Sequence, residues 1–495
     1  MEWQLKGRGA ANAVFGYCGN DHALVGHVLR VRMASRRAPE AADQTIWAGV
    51  LDAADGDDTC REMLYMSDVI APLLGSQYVF TGVPFPVPST LYEALDGLPD
   101  GHGGDHLATI QPDHTTFLAN APPDGYVGVG PTVCMEIKPK WGLRPDEAPA
   151  GTGAGAAVAA PSGRQAGTVS GAESTNEAAA AAAPGITTQG SNVGRRYPRF
   201  MLHMLLKHVQ KGYPLSLYNP LDLFSGELGA MQRAIRSLLE CPSGGAQAEA
   251  GRAPGTCPAG RGAEGEAQVV EVEAEAVSAL VRLAALALQR EDVLSNVHKI
   301  QALDELGPQG ALQLYGELVE AMQSGASPAS DPGWAARLSA LRAYLTSATA
   351  KDCALMVTMQ RALPATAAAT GSAVAGFSDT SASPLPPAPA AAPAAANAPP
   401  RTQQAVQLLL DSCSAASPHR SPATAASGAA VLEGVVPYLV KVAVVDLDVK
   451  PAAKIRSHAA LEAKLLACAE QHAGLLAEYA ARAGWRAPQG AAAPP

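Results

Sequence analysis

Cys134-Met135-Glu136-Ile137-Lys138-Pro139-Lys140-Trp141-Gly142 is the stretch on which the reading of this chain turns. It closes a run from Val127 to Lys140 that reads as a buried strand. A period of two sets Glu136, Lys138 and Lys140 on one side of that strand. Pro139 stiffens the exit and fixes where the two ammonium groups point. Two close lysines repel each other, so the pair suits a polyanionic ligand. The plain alternative is a chance pair on a solvated surface, but Trp141-Gly142 makes the run less generic.

Strands also open the chain, around Lys6-Gly7-Arg8-Gly9-Ala10-Ala11-Asn12 within Trp3 to Met33. Glycines with small neighbours let backbone N–H groups approach phosphate oxygens. The run lies between two strand-like pieces, which fits a flap over a nucleotide better than a dinucleotide-binding turn. An ordinary hairpin turn is the other reading. In Val25-Gly26-His27-Val28-Leu29-Arg30-Val31-Arg32, alternation gathers Val28, Arg30 and Arg32 on one face. Arg30 can there grip phosphate bidentately, or lie on a solvated edge.

The rest reads mainly as helix. Arg199, His203, Lys207 and Lys211 recur at four-residue steps and form one stripe, with Phe200, Met204 and Leu205 near the opposite side. A solvated face is the default for such a stripe. Leu217 to Gly226 holds an Asn219-Pro220 turn and a Ser225-Gly226 cap, and reads as structural. Helical patterns fill Ala267 to Gln323 and Pro332 to Ala350. Lys351-Asp352-Cys353 then enters an apolar run. An aspartate there can orient a hydroxyl or take its proton, or simply cap a helix. Tyr438 to Val449 alternates as a strand with Val442, Val444, Asp446 and Asp448 on one side. Paired carboxylates of this kind suit Mg²⁺. Pro451 is comfortable at the first position of a helix, here a long one from Ala452 to Ala481. Lys450, Lys454 and His458 then form a cationic stripe. Metal ligands followed at once by cations suit phosphoryl transfer onto an anionic acceptor. A strand-rich start and a helical majority predict an α+β fold.

Composition bounds the function. Thirty-six Lys and Arg against 46 Asp and Glu give a net charge of −10 over 495 residues. That excludes a wholesale nucleic-acid coat, and no direct nucleic-acid binding is expected. A local basic pocket remains compatible. Glycine (48) and proline (39) exceed ordinary usage. They gather, with alanine, in residues 148–191, 243–266 and 364–429. Such segments bury too little apolar surface to offset ordering entropy and are expected as flexible insertions. Roughly 350 residues remain, enough for two lobes. The expected plan is an N-lobe over 1–147 and a C-lobe from 192–242, 267–363 and 430–481, with a disordered tail at 482–495. Ala276 to Leu288 carries Arg282 and is shorter than the roughly 20 residues of a membrane span. The N-terminus lacks an apolar signal core, so the expected location is cytoplasmic and/or nuclear, not secreted. Eight scattered cysteines without a CxxC pair fit a reducing compartment.

Taken together, these segments resemble the inositol-pentakisphosphate 2-kinase family. The runs that carry the resemblance are Gly7 to Asn12, Val28 to Arg30, Glu136 to Lys140, Arg199 to Lys207, Tyr218 to Gly226, Ala348 to Cys353 and Asp446 to Lys450, with a similar helical run from Val293 to Tyr315. They cover about 200 residues. The resemblance implies a two-lobed inositol-polyphosphate-kinase-like fold. It also implies transfer of the ATP γ-phosphoryl group to the 2-hydroxyl of inositol 1,3,4,5,6-pentakisphosphate, giving inositol hexakisphosphate (phytate). ATP, Mg²⁺ and the inositol phosphate are the implied partners of a chain expected to act as a monomer. By the same resemblance Gly9, Ala10 and Asn12 fall on the nucleotide flap, Arg30 on the cation that grips ATP phosphates, and Glu136 at the hinge near adenine. Lys138 lies between nucleotide and acceptor phosphates and joins Asp352, the catalytic aspartate. Lys140, Lys207, Lys450, Lys454 and His458 take acceptor-binding positions, and Asp446, helped by Asp448, takes the Mg²⁺ position.

The sequence also departs from the family. Its Pro-Asn-Asn-Phe-Arg stretch appears here as Pro242-Ser-Gly-Gly-Ala-Gln247. An expected asparagine is Pro112, before Asp113-His114. The arginine expected between Thr81 and Pro112 has no counterpart, and neither has the Cys/His zinc cluster of plant members. A binding or scaffold protein with degraded catalysis is therefore the second expectation. A protein kinase is a third, disfavoured by the lack of HRD-like and DFG motifs. The alanine-rich insertions resemble those of green-algal proteins.

Overall fold

The structure, a computed structural model, describes residues 2–9, 12–32, 40–52, 58–87, 91, 107–117, 126–145, 196–240, 246–251, 274–364 and 437–485. Ala10 and the expected insertion 148–191 lie outside them.

The chain begins as predicted, with strands β1 (Trp3–Arg8), β2 (Asn12–Tyr17) and β3 (His27–Arg32). Alternation along β2 and β3 turns Ala13, Phe15, Leu29 and Val31 inward, where they meet Trp3, Val87, Leu91 and Ala108 in a small core. Helices α1 (Ala41–Trp47) and α2 (Asp58–Leu64), a π-helical turn over Tyr65–Ile70, and α3 (Ala71–Leu74) follow. Strands β4 (Val83–Pro86) and β5 (Leu107–Pro112) complete an antiparallel sheet of order β1-β2-β3-β5-β4. Strand β6 (Tyr126–Ile137) starts a second sheet.

Helices α4 (Arg199–Lys211), α5 (Pro220–Phe224) and α6 (Leu228–Glu240) come next. Strand β7 (Ala246–Gly251) pairs with β6. Helices α7 (Ala274–Arg290), α8 (Val293–Gln301), α9 (Gly307–Gln323) and α10 (Ala335–Ala350) form the helical bulk. Strands β8 (Ala354–Pro364) and β9 (Tyr438–Val445) close the second sheet in the order β7-β6-β8-β9, and α11 (Lys454–Gln471) and α12 (Ala473–Arg482) end the described chain. The fold is α+β. Strands β8 and β9 pair as a hairpin, with Arg361 opposite Tyr438. All but the first residue of the insertion expected over 364–429 lies outside the described residues.

Several expectations need correction. The N-lobe expected over 1–147 divides between two cores. Ile46, Trp47, Tyr65, Ile70 and Leu74 pack with the large helical core, as do Met135 and Ile137, because α1 to α3 and β6 turn their apolar faces that way. The segment 243–266 is not wholly an insertion, since Gln247 stands opposite Glu136 in the β6–β7 ladder. The first half of β6 is largely exposed, and a bulge interrupts it between Val129 and Thr132. The helix expected over 452–481 is two, broken at His472, and it starts only at Lys454. Pro451 lies before it, in a turn in which its carbonyl accepts from the Lys454 N–H. The tail expected at 482–495 begins inside α12, and Trp485 Nε1 donates to the Arg196 carbonyl at 2.9 Å.

Candidate active site

Two chain exits build the site. Strand β6 ends at Ile137, so Lys138, Pro139 and Lys140 do not continue its face. Proline has no N–H for the ladder, and Lys140 takes a left-handed backbone with φ 59°. Strand β9 likewise ends at Val445, opposite Ala354, where its partner strand begins. The ladder runs out there, and Asp446 turns left-handed with φ 60°. Aspartate tolerates that conformation better than lysine, for which it costs about 1–2 kcal/mol. Both exits therefore aim their side chains by irregular backbone, not by strand alternation, and the expected shared faces of Glu136 with Lys140 and of Val444 with Asp448 do not form.

The β6 exit is clamped from beneath. Tyr218 donates from its hydroxyl to the Pro139 carbonyl at 2.8 Å. Gly142 sits where any Cβ would collide with the Phe224 ring. The Leu217–Gly226 motif is structural, as its turn chemistry predicts. Asn219 caps α5 by accepting from the Leu221 N–H at 3.2 Å.

The first cavity, of about 250 Å³, is mostly apolar. Val14, Val28, Met66, Phe80, Met356 and Leu447 line it, with Lys6, Arg30, Asp446 and Asp448 at its polar parts. Gly7 reaches this cavity, whereas Gly9 closes the β1–β2 turn by donating its N–H to the Asn12 carbonyl at 2.8 Å. The flap is thus also an ordinary hairpin. Arg30 donates to Asp448 at 2.6 Å and lies 3.7 Å from Glu62. Burial alone would lower the Arg30 pKa, but Asp448 and Glu62 outweigh it and the net shift is upward. His114 packs against Phe80 with ring centroids 4.8 Å apart. Burial, with nearby Lys441, lowers its pKa to about 3, so the ring is neutral.

The second cavity, of about 300 Å³, is basic. Lys140, Arg199, His203, Lys351, Lys450, Lys454 and His458 all line it, together with Trp141, Tyr344 and Asp352. Helix α4 supplies Arg199 and His203 while its buried Met204 and Leu205 anchor it in the core, and Phe200 itself lines the cavity. The stripe expected to be solvated therefore faces a cavity in its first half. Lys207 is half-buried and lies close enough to Lys140 and His203 to lower the pKa of both. Lys211 is exposed at the helix end.

Asp352 follows α10 and its side chain is 65% exposed, with Lys450 Nζ donating to it at 3.1 Å. Burial depresses Lys140, as do Lys138 and Lys207, and Asp352 opposes them. Lys138 lies 3.5 Å from Glu136 and 4.0 Å from Asp446, a lining residue of the first cavity. Burial raises the Asp446 carboxyl; Asp448 and Asp352 add to this, and Lys138 and Arg30 oppose it. The sequence-predicted residues from five remote segments thus converge. Asp448 is turned to Arg30.

Sequence reasoning missed several residues here. Trp141 lies under two cations, with the Arg199 guanidinium 4.4 Å and Lys351 Nζ 4.1 Å from its ring centroid. Lys351 is buried and pairs with Asp304 at 2.8 Å, which offsets its desolvation. Arg199 pairs with Glu462. Trp141, Arg199 and Lys351 stand in the runs quoted above without this stacking role, and lone carboxylates such as Asp304 and Glu462 carry no spacing signal.

The two histidines give a pH prediction. Burial lowers His203 to about 4, helped by Lys207, Arg199 and Lys140. Burial also lowers His458 to about 4, helped by Arg199, Lys450, Lys454 and Lys351, while Tyr344 contacts its Nδ1 at 3.1 Å. Both lie below an unfolded value of about 6.5. Between those values the unfolded chain binds more protons, so stability is full above about pH 6.5 and falls as pH drops toward 4. Thermal melts of the ligand-free protein should show this loss, and the His203→Gln, His458→Gln double variant should show a smaller one.

Comparison with known proteins identifies the family. The model of the inositol-pentakisphosphate 2-kinase family matches residues 6–464. The chain is similar to an inositol-pentakisphosphate 2-kinase of Oryza sativa subsp. indica, 24% identical over 405 residues, covering 72% of this chain and 81% of that protein. It is also similar to the inositol-pentakisphosphate 2-kinase of Arabidopsis thaliana, 24% identical over 418 residues with the same coverage.

Proposed function

The chain belongs to the inositol-pentakisphosphate 2-kinase family, and on that premise we propose how its own residues carry the transfer. It is an ATP-dependent kinase that phosphorylates the 2-hydroxyl of inositol 1,3,4,5,6-pentakisphosphate to give the hexakisphosphate. One observation supports the assignment of roles above all: Lys138 lies 4.0 Å from Asp446, which lines the apolar cavity, and its charge reaches Lys140, which lines the basic cavity with Asp352.

The nucleotide base takes the apolar cavity, with Glu136 at its hinge and the turn of Gly9, Ala10 and Asn12 over its phosphates. Arg30 exchanges Asp448 for a phosphate. Lys138 spans the donor and acceptor phosphates. Lys140, Lys207, Lys450, Lys454 and His458 hold the acceptor, because charge-assisted contacts to several phosphates fix orientation as well as affinity. Asp352 orients the 2-hydroxyl and accepts its proton. The half-exposed Asp446 would hold Mg²⁺ through the hard oxygen that this ion prefers. That fits the described residues, among which no three His, Cys, Asp or Glu side chains cluster to hold a metal. Bound there, the ion neutralises charge developing on the transferred group.

Both cavities are built within one chain, which supports a monomer as the working unit. Among the described residues no helix is long and apolar enough to cross a membrane. Cytosol or nucleus, where ATP is at hand, is the setting we propose.

The test is an assay of purified protein with labelled ATP, Mg²⁺ and the pentakisphosphate, scored by formation of hexakisphosphate. Binding without turnover would leave an inositol-phosphate scaffold, and labelling of a peptide instead would leave a protein kinase. Lys140→Ala should raise the acceptor KM at least about tenfold, the scale of one lost charge-assisted contact, and leave the ATP KM nearly unchanged. A selective loss of ATP binding would move Lys140 to the nucleotide side.

A further inference from the structure

Gln301 is the last residue of α8 and has no exposed surface. Its amide makes three hydrogen bonds to chain that is not its own helix. Oε1 accepts from the Gly142 N–H at 2.8 Å. Nε2 donates to the Lys140 carbonyl at 2.7 Å and to the Ala350 carbonyl at 3.1 Å. Its own carbonyl accepts from Ser347 Oγ at 2.6 Å. One side chain therefore grips the backbone on both sides of Trp141 and ties it to the end of α10, two residues before Asp352.

The chemistry of the amide is specific to this task. A carboxamide presents one acceptor and two donors in a plane, and here all three are used inside the core. Lys140 needs such support, because its left-handed backbone is not one that a lysine adopts unaided. The grip holds the backbone that carries Lys140 over the basic cavity. The bond to Ala350 sets the distance from that backbone to the segment carrying Asp352.

We propose that Gln301 is a positioning residue that couples the placement of Lys140 to that of Asp352, so that acceptor binding and hydroxyl activation are set by one buried amide. This rests on the roles proposed above for those two residues. Gln301 itself touches neither substrate cavity.

The test compares Gln301→Leu, Gln301→Glu and a core control, Leu318→Ala, with the wild-type chain. Calorimetry reads binding of pentakisphosphate and of ATP, and steady-state assays read kcat and both KM values. In Gln301→Leu the acceptor kcat/KM should fall about 10²-fold, the scale of a small misplacement of reacting groups. Acceptor affinity should weaken as well, while ATP affinity stays within about twofold. Leu318→Ala, which only loosens the helical core, should shift melting without this split. In Gln301→Glu, Oε1 still accepts from Gly142, but the second oxygen faces two carbonyls. Burial against them raises the pKa of the new carboxyl, and only its protonated form donates. Activity of this variant relative to wild type should therefore rise as pH falls from about 8 to 6. Unchanged acceptor parameters in a folded Gln301→Leu would overturn the proposal, as would equal losses for ATP and acceptor. If Gln301→Leu does not fold, a flat pH ratio for Gln301→Glu overturns it. Wild-type binding without turnover would sink the transfer reading alone, and the loss of acceptor affinity in Gln301→Leu would still decide this one.

Discussion

Asp352→Asn should lower kcat by about 10²–10⁴-fold, the usual worth of a positioned proton acceptor, without weakening the acceptor's grip. The reasoning starts from the local backbone. Helix α10 stops at Ala350, the Asp352 N–H still bonds back to the Thr349 carbonyl at 3.0 Å, and β8 begins at Ala354. The side chain is thereby thrown outward into the basic cavity, and its pairing with Lys450 is a half-exposed contact of small stabilising value. Asparagine keeps the shape and removes the charge and the proton-accepting oxygen. Among the described residues it also removes the only lining carboxylate there other than Asp304, which Lys351 already neutralises. A polyanion should then bind as well or better. Falling kcat with equal or tighter acceptor binding in calorimetry is the expected signature. Unchanged turnover removes Asp352 from the mechanism, and weakened acceptor binding makes its role structural.

Asp446→Asn should cost roughly 10²–10³-fold in kcat, comparable to removing a key electrostatic group from a transition state, and should raise the Mg²⁺ concentration that gives half-maximal rate. Asparagine shares aspartate's tolerance of a left-handed backbone, so the turn at φ 60° survives the exchange. The carboxylate lies near Asp448 and Asp352, which disfavour its charge. Its loss should therefore leave the melting temperature unchanged or slightly raised. A Mg²⁺ titration of rate, beside a thermal melt, separates the two effects. A variant with the wild-type Mg²⁺ dependence would take Asp446 out of metal binding.

What the sequence made legible followed from short-range periodicity. Arg199–Lys211 came out with both ends right, because Pro198 precedes the helix and Gly212 ends it in a left-handed cap, φ 70°. The opening strands were legible from alternation alone. What escaped depends on where a partner strand stops. The strands expected to Lys140 and Val449 stop at Ile137 and Val445, so Lys138 and Asp446 leave their sheets, and no property of either residue announces it. The strand Ala246–Gly251 escaped because its composition argues for loop while pairing with β6 recruits it. Gln301 and Asp304 escaped because a buried polar residue is recognised only by its partners.

Finally, Arg30 and Asp448 are partners separated by 418 positions along the chain. The apolar cavity draws on residues from Lys6 to Asp448. A growing polypeptide on the ribosome cannot assemble that cavity until nearly all of these residues have emerged. Strands β8 and β9, which complete the second sheet beside β6, come late in the chain. Such long-range closure is slow, and it exposes the nascent sheet to misassembly. It also means that a product terminated before Asp448 lacks part of this cavity's lining.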